Sequence, residues 1–346
     1  MYDPPPAWLV DDALFDAHAL GGPDHPAYHP ERPERLTAAR AATSGSQVDW
    51  RPVDRRAATI AELARVHHPA YLESLDELRG EVGYIDADTY VAPLSVEAAY
   101  HAAGGAVSLV DKLIDTDVSR GVALLRPPGH HACAGRAMGF CLLNNVAVAA
   151  AHAVGRGLSR VLVVDWDVHH GNGTQEMFWR SPNVLYVSLH QFPFYPGTGA
   201  VEEAGEGEGR GFTLNVPLSA GAGDDVYRSA FERTVLPVAY EYAPELVLVS
   251  AGFDASLRDP LAQMRLSSAA FGWMGRALRR VADESAKGRI GMVLEGGYDL
   301  VGLEGGLAAA VAGVVRDEAE EIAQPDGTPE DVARAVRMAR RGWKVG

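Results

Sequence analysis

The chain has 346 residues, 47% hydrophobic and 22% charged, with a formal net charge of −15. That length can bury a large core in one domain or two. The acidic balance argues against a nucleic-acid-binding module, which usually carries a basic face, and is compatible with drawing in a cationic substrate. Two cysteines, Cys133 and Cys141, are too few for a disulfide framework and point to a reducing, cytoplasmic setting. Residues 1–22 carry acids and prolines without a basic start or a long apolar stretch, so neither a signal peptide nor a membrane span is expected.

In chain order, residues 1–30 are rich in Pro, Gly, Asp and His and read as irregular. The run from His29 to Leu36 opens a helix, with proline and acids in its first turn. A second helical piece falls near residues 69–79. Residues 84–94 form a loop containing Asp86, Asp88 and Tyr90, and an Ala-rich helix covers 95–114. Strand and helix then alternate. Apolar strand candidates are 122–125, 161–164, 184–189, 212–216, 246–250 and 290–294; helices are expected near 142–157, 225–242 and 267–286. This rhythm predicts an α/β fold, an open parallel sheet with helices on both faces. The acidic, glycine-rich stretch 202–209 reads as a solvated loop, and 304–346 as helical and structural. No internal repeat or linker divides the chain, so 1–346 is expected to be a single domain.

Polar residues fall at particular places in this pattern. The strand at 161–164 runs into Asp165, Asp167, His169 and His170. Were the segment to stay extended, Asp165, Asp167 and His169 would share one face, with Trp166 and Val168 on the other. Buried acids and imidazoles are costly unless a cation or partner satisfies them, and this mixture suits Zn²⁺ or a similar divalent metal. The run 122–125 leads into Arg126-Pro-Pro-Gly-His130-His131, 246–250 into Ala-Gly-Phe-Asp254, and 290–294 into Glu295-Gly-Gly-Tyr298. All are C-terminal strand ends, which in a parallel sheet line one crevice.

Together they supply a metal hydrolase. Asp167, His169 and Asp254 would be three ligands, leaving positions for water and substrate. His130 and His131 sit where a general base and acid belong, and Tyr298 follows two glycines that free it to meet a developing oxyanion. Taken singly, the histidines could be a packed loop pair, Tyr298 a buried phenol and Asp254 a helix N-cap.

These motifs, with Gly139-Phe-Cys141, resemble the histone deacetylase family, in its class II-like and bacterial acetylpolyamine amidohydrolase branch. The resemblance runs from His29 to Tyr298. It implies the arginase/deacetylase fold, a single open domain around about eight parallel strands. It makes Asp167, His169 and Asp254 ligands of one Zn²⁺ per chain, His131 the main general base and acid, His130 its electrostatic aid, and Tyr298 the donor to the substrate carbonyl. Asp165 would orient the first histidine and help Ser188 hold a structural K⁺, completed by backbone carbonyls of Asp167, His169 and Leu189. Phe140 and Tyr195 would wall a narrow tunnel for an aliphatic acylamine, kept open by Gly139. Asn172 replaces the aspartate of class I members and would leave His131 less inclined to hold a proton at rest. Leu261 stands where polyamine-selective relatives place a carboxylate, which favours acetyl-lysine in a peptide or protein. Asp86, Asp88 and Ser95 are secondary candidates for rim contacts.

The reading is therefore a Zn²⁺ deacetylase acting on a linear acylamine, with an acetylpolyamine as the alternative substrate. Two others stand beside it: a binuclear manganese ureohydrolase on the same fold, and a non-catalytic acyl-amine sensor. No nucleic-acid or membrane partner is expected, and self-association is left open.

Overall fold

The computed structural model describes residues 4–20 and 29–345; the expected irregularity of 21–28 lies outside them. The strands are β1 (Pro6–Val10), β2 (Asp49–Pro52), β3 (Gly83–Tyr84), β4 (Tyr90–Val91), β5 (Arg120–Ala123), β6 (Val161–Asp165), β7 (Val184–Gln191), β8 (Thr213–Leu218), β9 (Leu246–Ala251) and β10 (Ile290–Leu294). Eight pair in one sheet in the order β2-β1-β5-β10-β9-β6-β7-β8, with every pairing parallel. Helices Ser95–Asp115 and Asn145–Gly155 pack on each other and reach β10 or β9. Helices Ser268–Ser285 and Leu300–Val311 form a second group that also reaches these strands, so the sheet is covered on both faces. Residues of β6, β7, β9 and β10 are buried throughout. Two-sided cover explains why they read as continuous apolar runs. Among the described residues no helix is long and apolar enough to cross a membrane.

The structure corrects several expectations. Residues 1–30 are not all irregular: β1 enters the sheet and a 3₁₀ turn covers Ala13–Ala17. β2, an exposed edge strand of sequence DWRP, has no apolar run to announce it. The expected loop 84–94 contains part of a two-residue-per-strand hairpin, β3 with β4. The stretch 202–209 is largely the exposed loop expected, but Glu203 is half-buried, its carboxylate accepting from Gln175 Nε2 and the Gly199 and Ala200 N–H groups. Between Arg316 and Glu330 the C-terminal part leaves the helix.

A buried charge cluster ties the N-terminal segment to the sheet. Arg126, three residues beyond the end of β5, grips Glu31 with Nε and Nη2, and donates to the carbonyls of Phe15 and His18 at 2.8 and 2.7 Å. Arg35 adds a third contact to Glu31 at 3.1 Å. Burial alone would raise the Glu31 carboxyl, but the Arg126 guanidinium, with His18 and Arg35, holds it well below the usual carboxylate range. Glu31→Gln leaves buried guanidiniums facing a neutral amide and should cost about 3–5 kcal/mol. Since the folded-state pKa is depressed, the stabilisation is present above the ordinary carboxylate pKa and lost as pH falls through the folded value. Urea melts should thus give a wider gap between wild type and E31Q at pH ~7 than at pH ~3; an equal gap would assign the loss to packing.

Candidate metal and catalytic site

β6 ends at Asp165, and residues 166–170 turn away instead of continuing as strand. The expected shared face of Asp165, Asp167 and His169 therefore does not form. Asp165 accepts from Tyr186 Oη at 2.9 Å and faces His130 Nδ1 at 3.0 Å. Asp167 and His169 instead meet Asp254, which lies beyond the end of β9. Among the described residues these are the one cluster of three His, Cys, Asp or Glu side chains placed to hold a metal ion, with ligand atoms all within 4.8 Å of one another. His169 Nδ1 lies 3.2 Å from both Asp167 Oδ1 and Asp254 Oδ2. Backbone N–H groups fix the carboxylates: Val168 donates to Asp254 Oδ1 at 2.9 Å, and Gly296 to Asp167 Oδ2 at 2.8 Å. A Cβ on Gly296 would come within 2.2 Å of Asp254 Oδ2, so the approach requires glycine.

The electrostatics of this trio fit a cation. Burial and the facing Asp167 push the Asp254 carboxyl up to about 7. Burial would lower His169, but its hydrogen bonds to Asp167 and Asp254 outweigh this and raise it to about 10. The site thus draws positive charge into a dry pocket, which a divalent ion satisfies with a borderline donor set of carboxylate oxygen and imidazole nitrogen.

The paired histidines differ in environment. Burial disfavours charge on both, but Asp167 and Asp165 raise His130 well above the ordinary histidine range. His131 is held well below it by burial and by its histidine neighbours. His131 Nδ1 is 2.8 Å from Asn172 Oδ1. The Asn172 amide donates to the His131 carbonyl at 3.3 Å, so its oxygen faces the ring and Nδ1 carries the proton. Nε2 is left as an acceptor, the form a general base needs.

Tyr298 is 7% exposed, and among the described residues its hydroxyl has no partner. Its ring lies edge-on to Phe140 at 5.7 Å and under the Arg35 guanidinium at 5.0 Å. Arg35 Nε also donates to the Gly297 carbonyl at 2.7 Å and Nη2 to that of Glu295. The sequence reading missed this contact, made across 262 residues. Tyr195 stands edge-on to His131 at 5.2 Å and is 38% exposed. Phe194, also missed, stacks on His169 at 5.5 Å. Phe140 adopts a φ of 69°, unusual for a non-glycine residue, next to Gly139 at 58°. A Cβ on Gly139 would strike the His131 ring at 2.5 Å, so this glycine lets the loop pass behind the histidine.

Not every expected contact is present. Ser95 is fully buried, 2.7 Å from His18 Nδ1, and is therefore no rim residue. Asp86 turns its Oδ1 back onto the Asp88 and Thr89 N–H groups at 3.1 and 2.7 Å. Asp88 is raised by burial, against a hydrogen bond from Thr89 that lowers it. Leu261 is half-buried, its N–H donated to Asp259 Oδ1 at 3.0 Å. Ser188 sits beside Asp165 in the sheet register, and its Oγ is 2.9 Å from His190 Nδ1. Leu189 follows it, fully buried in β7.

An open parallel sheet with a buried Asp-His-Asp trio and a histidine pair at its C-terminal edge defines an α/β protein with a candidate metal site. Residues 29–314 match the histone deacetylase domain. Histone deacetylase 15 of Arabidopsis thaliana is 42% identical over 313 residues, covering 88% of this chain and 56% of that protein. Polyamine deacetylase HDAC10 of Homo sapiens is 40% identical over 93% of this chain and 50% of its own length. The histone deacetylase-like amidohydrolase of Pseudomonas aeruginosa is 40% identical over 90% of this chain and 86% of its own. The chain thus spans about half the length of several curated relatives. The crystal structure of the HDA15 HD domain superposes with a TM-score of 0.89 at 36% identity, covering 98% of this chain and 96% of that one. The chain belongs to the histone deacetylase family and has its arginase/deacetylase fold. That assignment sets the binuclear ureohydrolase reading aside.

Proposed function

We propose that the chain, taken over 1–346 as one catalytic domain, is a zinc-dependent deacetylase that hydrolyses the N-acetyl amide of a linear primary amine, acetyl-lysine in a peptide or protein being favoured. The observation that carries this reading is the meeting of the Asp167, His169, Asp254 trio with His131 and Tyr298 between aromatic side chains. Asp167, His169 and Asp254 would hold one Zn²⁺ per chain, which when bound polarises a carbonyl and acidifies water.

The chain's own residues do the rest. Phe140 and Tyr195 grip the aliphatic part of the substrate and exclude bulk water. His131 Nε2 takes the proton of the attacking water and later returns it to the leaving amine. His130, paired with Asp165, supplies positive charge beside it. The Tyr298 hydroxyl donates to the acyl oxygen as negative charge develops there. We further propose a structural K⁺ held by Asp165, Ser188 and the carbonyls of Asp167, His169 and Leu189. The Asp165–Ser188 register and the burial of both side chains support it. A cytoplasmic location is proposed on the two free, buried thiols.

A second substrate reading, an acetylpolyamine, is supported by Asp86 and Asp88, carboxylates on the segment whose Thr89 hydroxyl accepts from the Phe140 N–H at 3.1 Å. The test is kcat/KM of the zinc-loaded protein on an acetyl-lysine peptide and an acetylated polyamine, side by side. Preference for the peptide is the expected result; preference for the polyamine transfers the proposal to the second substrate. Silence on both would overturn the acetyl specificity and turn the reading to another acyl group or to an acyl-amine sensor.

A further inference from the structure

The backbone that carries Tyr298 is held by two separate elements. Gly296 and Gly297 precede the tyrosine, and Gly297 has a φ of 118°. On the carbonyl side Arg35 holds Glu295 and Gly297. The amide side is held by a different loop. Asp259, 8% exposed, accepts at Oδ2 from the N–H groups of Tyr298 at 2.6 Å and Asp299 at 3.2 Å. Its Oδ1 accepts from Leu261 N–H at 3.0 Å. The preceding residue repeats the connection from outside: Arg258 Nε donates to Asp299 Oδ1 at 2.9 Å. Asp299 in turn caps helix Leu300–Val311 through the Gly302 N–H at 2.7 Å.

We propose that Asp259 is a positioning residue that straps the Tyr298 backbone to the loop carrying Asp254 and Leu261, and so fixes where the Tyr298 hydroxyl stands. An ionised carboxylate suits this task because it accepts on both oxygens at once. Asparagine offers one acceptor and turns an N–H₂ group towards backbone donors. The loop starts at Asp254 and reaches Leu261, so one short segment links the metal trio, the oxyanion donor and a residue expected at the mouth. The kinetic part of the inference rests on the deacetylase reading; the strap itself does not.

The test compares wild type, Asp259→Asn and Arg258→Ala, each with Tyr298 and with Tyr298→Phe. Hydrogen exchange of the 295–303 backbone reads the strap without turnover. In D259N, exchange in this segment should accelerate by about tenfold or more, and kcat should fall about tenfold or more with KM little changed. R258A removes an exposed ion pair, is no threat to folding, and should give a smaller loss of the same kind. Neither substitution should lower kcat further once Tyr298 is phenylalanine, because the strap acts through the hydroxyl. Unchanged exchange over 295–303, or an equal fractional loss with and without Tyr298, would overturn the proposal. If wild type turns over no acylamine, the deacetylase reading fails by itself and the exchange comparison still decides the strap.

Discussion

Tyr298→Phe will lower kcat by about 10²–10³-fold, the scale of losing one oxyanion donor. Burial, above all, holds the Tyr298 phenol well above its usual range, so it remains a hydrogen-bond donor at any working pH. Phenylalanine keeps the ring contacts with Phe140 and Arg35 and removes only the hydroxyl, which no described residue needs for folding. KM and melting temperature should therefore change little while kcat falls. Wild-type turnover in this variant would remove Tyr298 from the reaction.

Asp254→Asn will abolish tight zinc binding. The amide oxygen can still accept from Val168 N–H, so the loop should fold, but the charge that faces His169 is gone. Affinity should fall by more than about 100-fold, beyond the usual effect of losing a residue that only supports a ligand. Elemental analysis after dialysis measures this directly. Wild type should also melt higher with added zinc, since a ligand that binds only the folded state stabilises it. D254N should show almost no such gain. Stoichiometric zinc retained by D254N would contradict the ligand set.

What the sequence disclosed follows from which interactions are local. β6, β9 and β10 were legible because strands covered on both faces are continuous apolar runs, and Asp167, Asp254 and Tyr298 were legible as polar residues just beyond them. β1 was hidden in a proline-rich stretch, and β2 by its exposed, polar edge position. The period-2 argument for Asp165 failed because the strand stops there, leaving Asp165 to His130 and Tyr186. Arg35 and Asp259 were missed for a different reason. Each acts on backbone groups far along the chain, Arg35 on Gly297 and Asp259 on Tyr298, and a backbone acceptor or donor leaves no mark in residue identity. Ser95 likewise turns its hydroxyl inward to His18, a side-chain contact across 77 residues that leaves no local mark.

The position of β10 bears on how the protein comes into being on the ribosome. β10 lies between β5 and β9, although both precede it in the chain. A nascent polypeptide halted before Ile290 has an empty slot in the middle of its sheet, with unpaired backbone along both sides. Such an intermediate is open to aggregation and to chaperones, and this kind of long-range parallel pairing forms slowly. Gly296 and Tyr298 follow directly on that last central strand. A chain that stops short of them lacks the Gly296 N–H that fixes Asp167 and the Tyr298 hydroxyl that the proposed reaction uses.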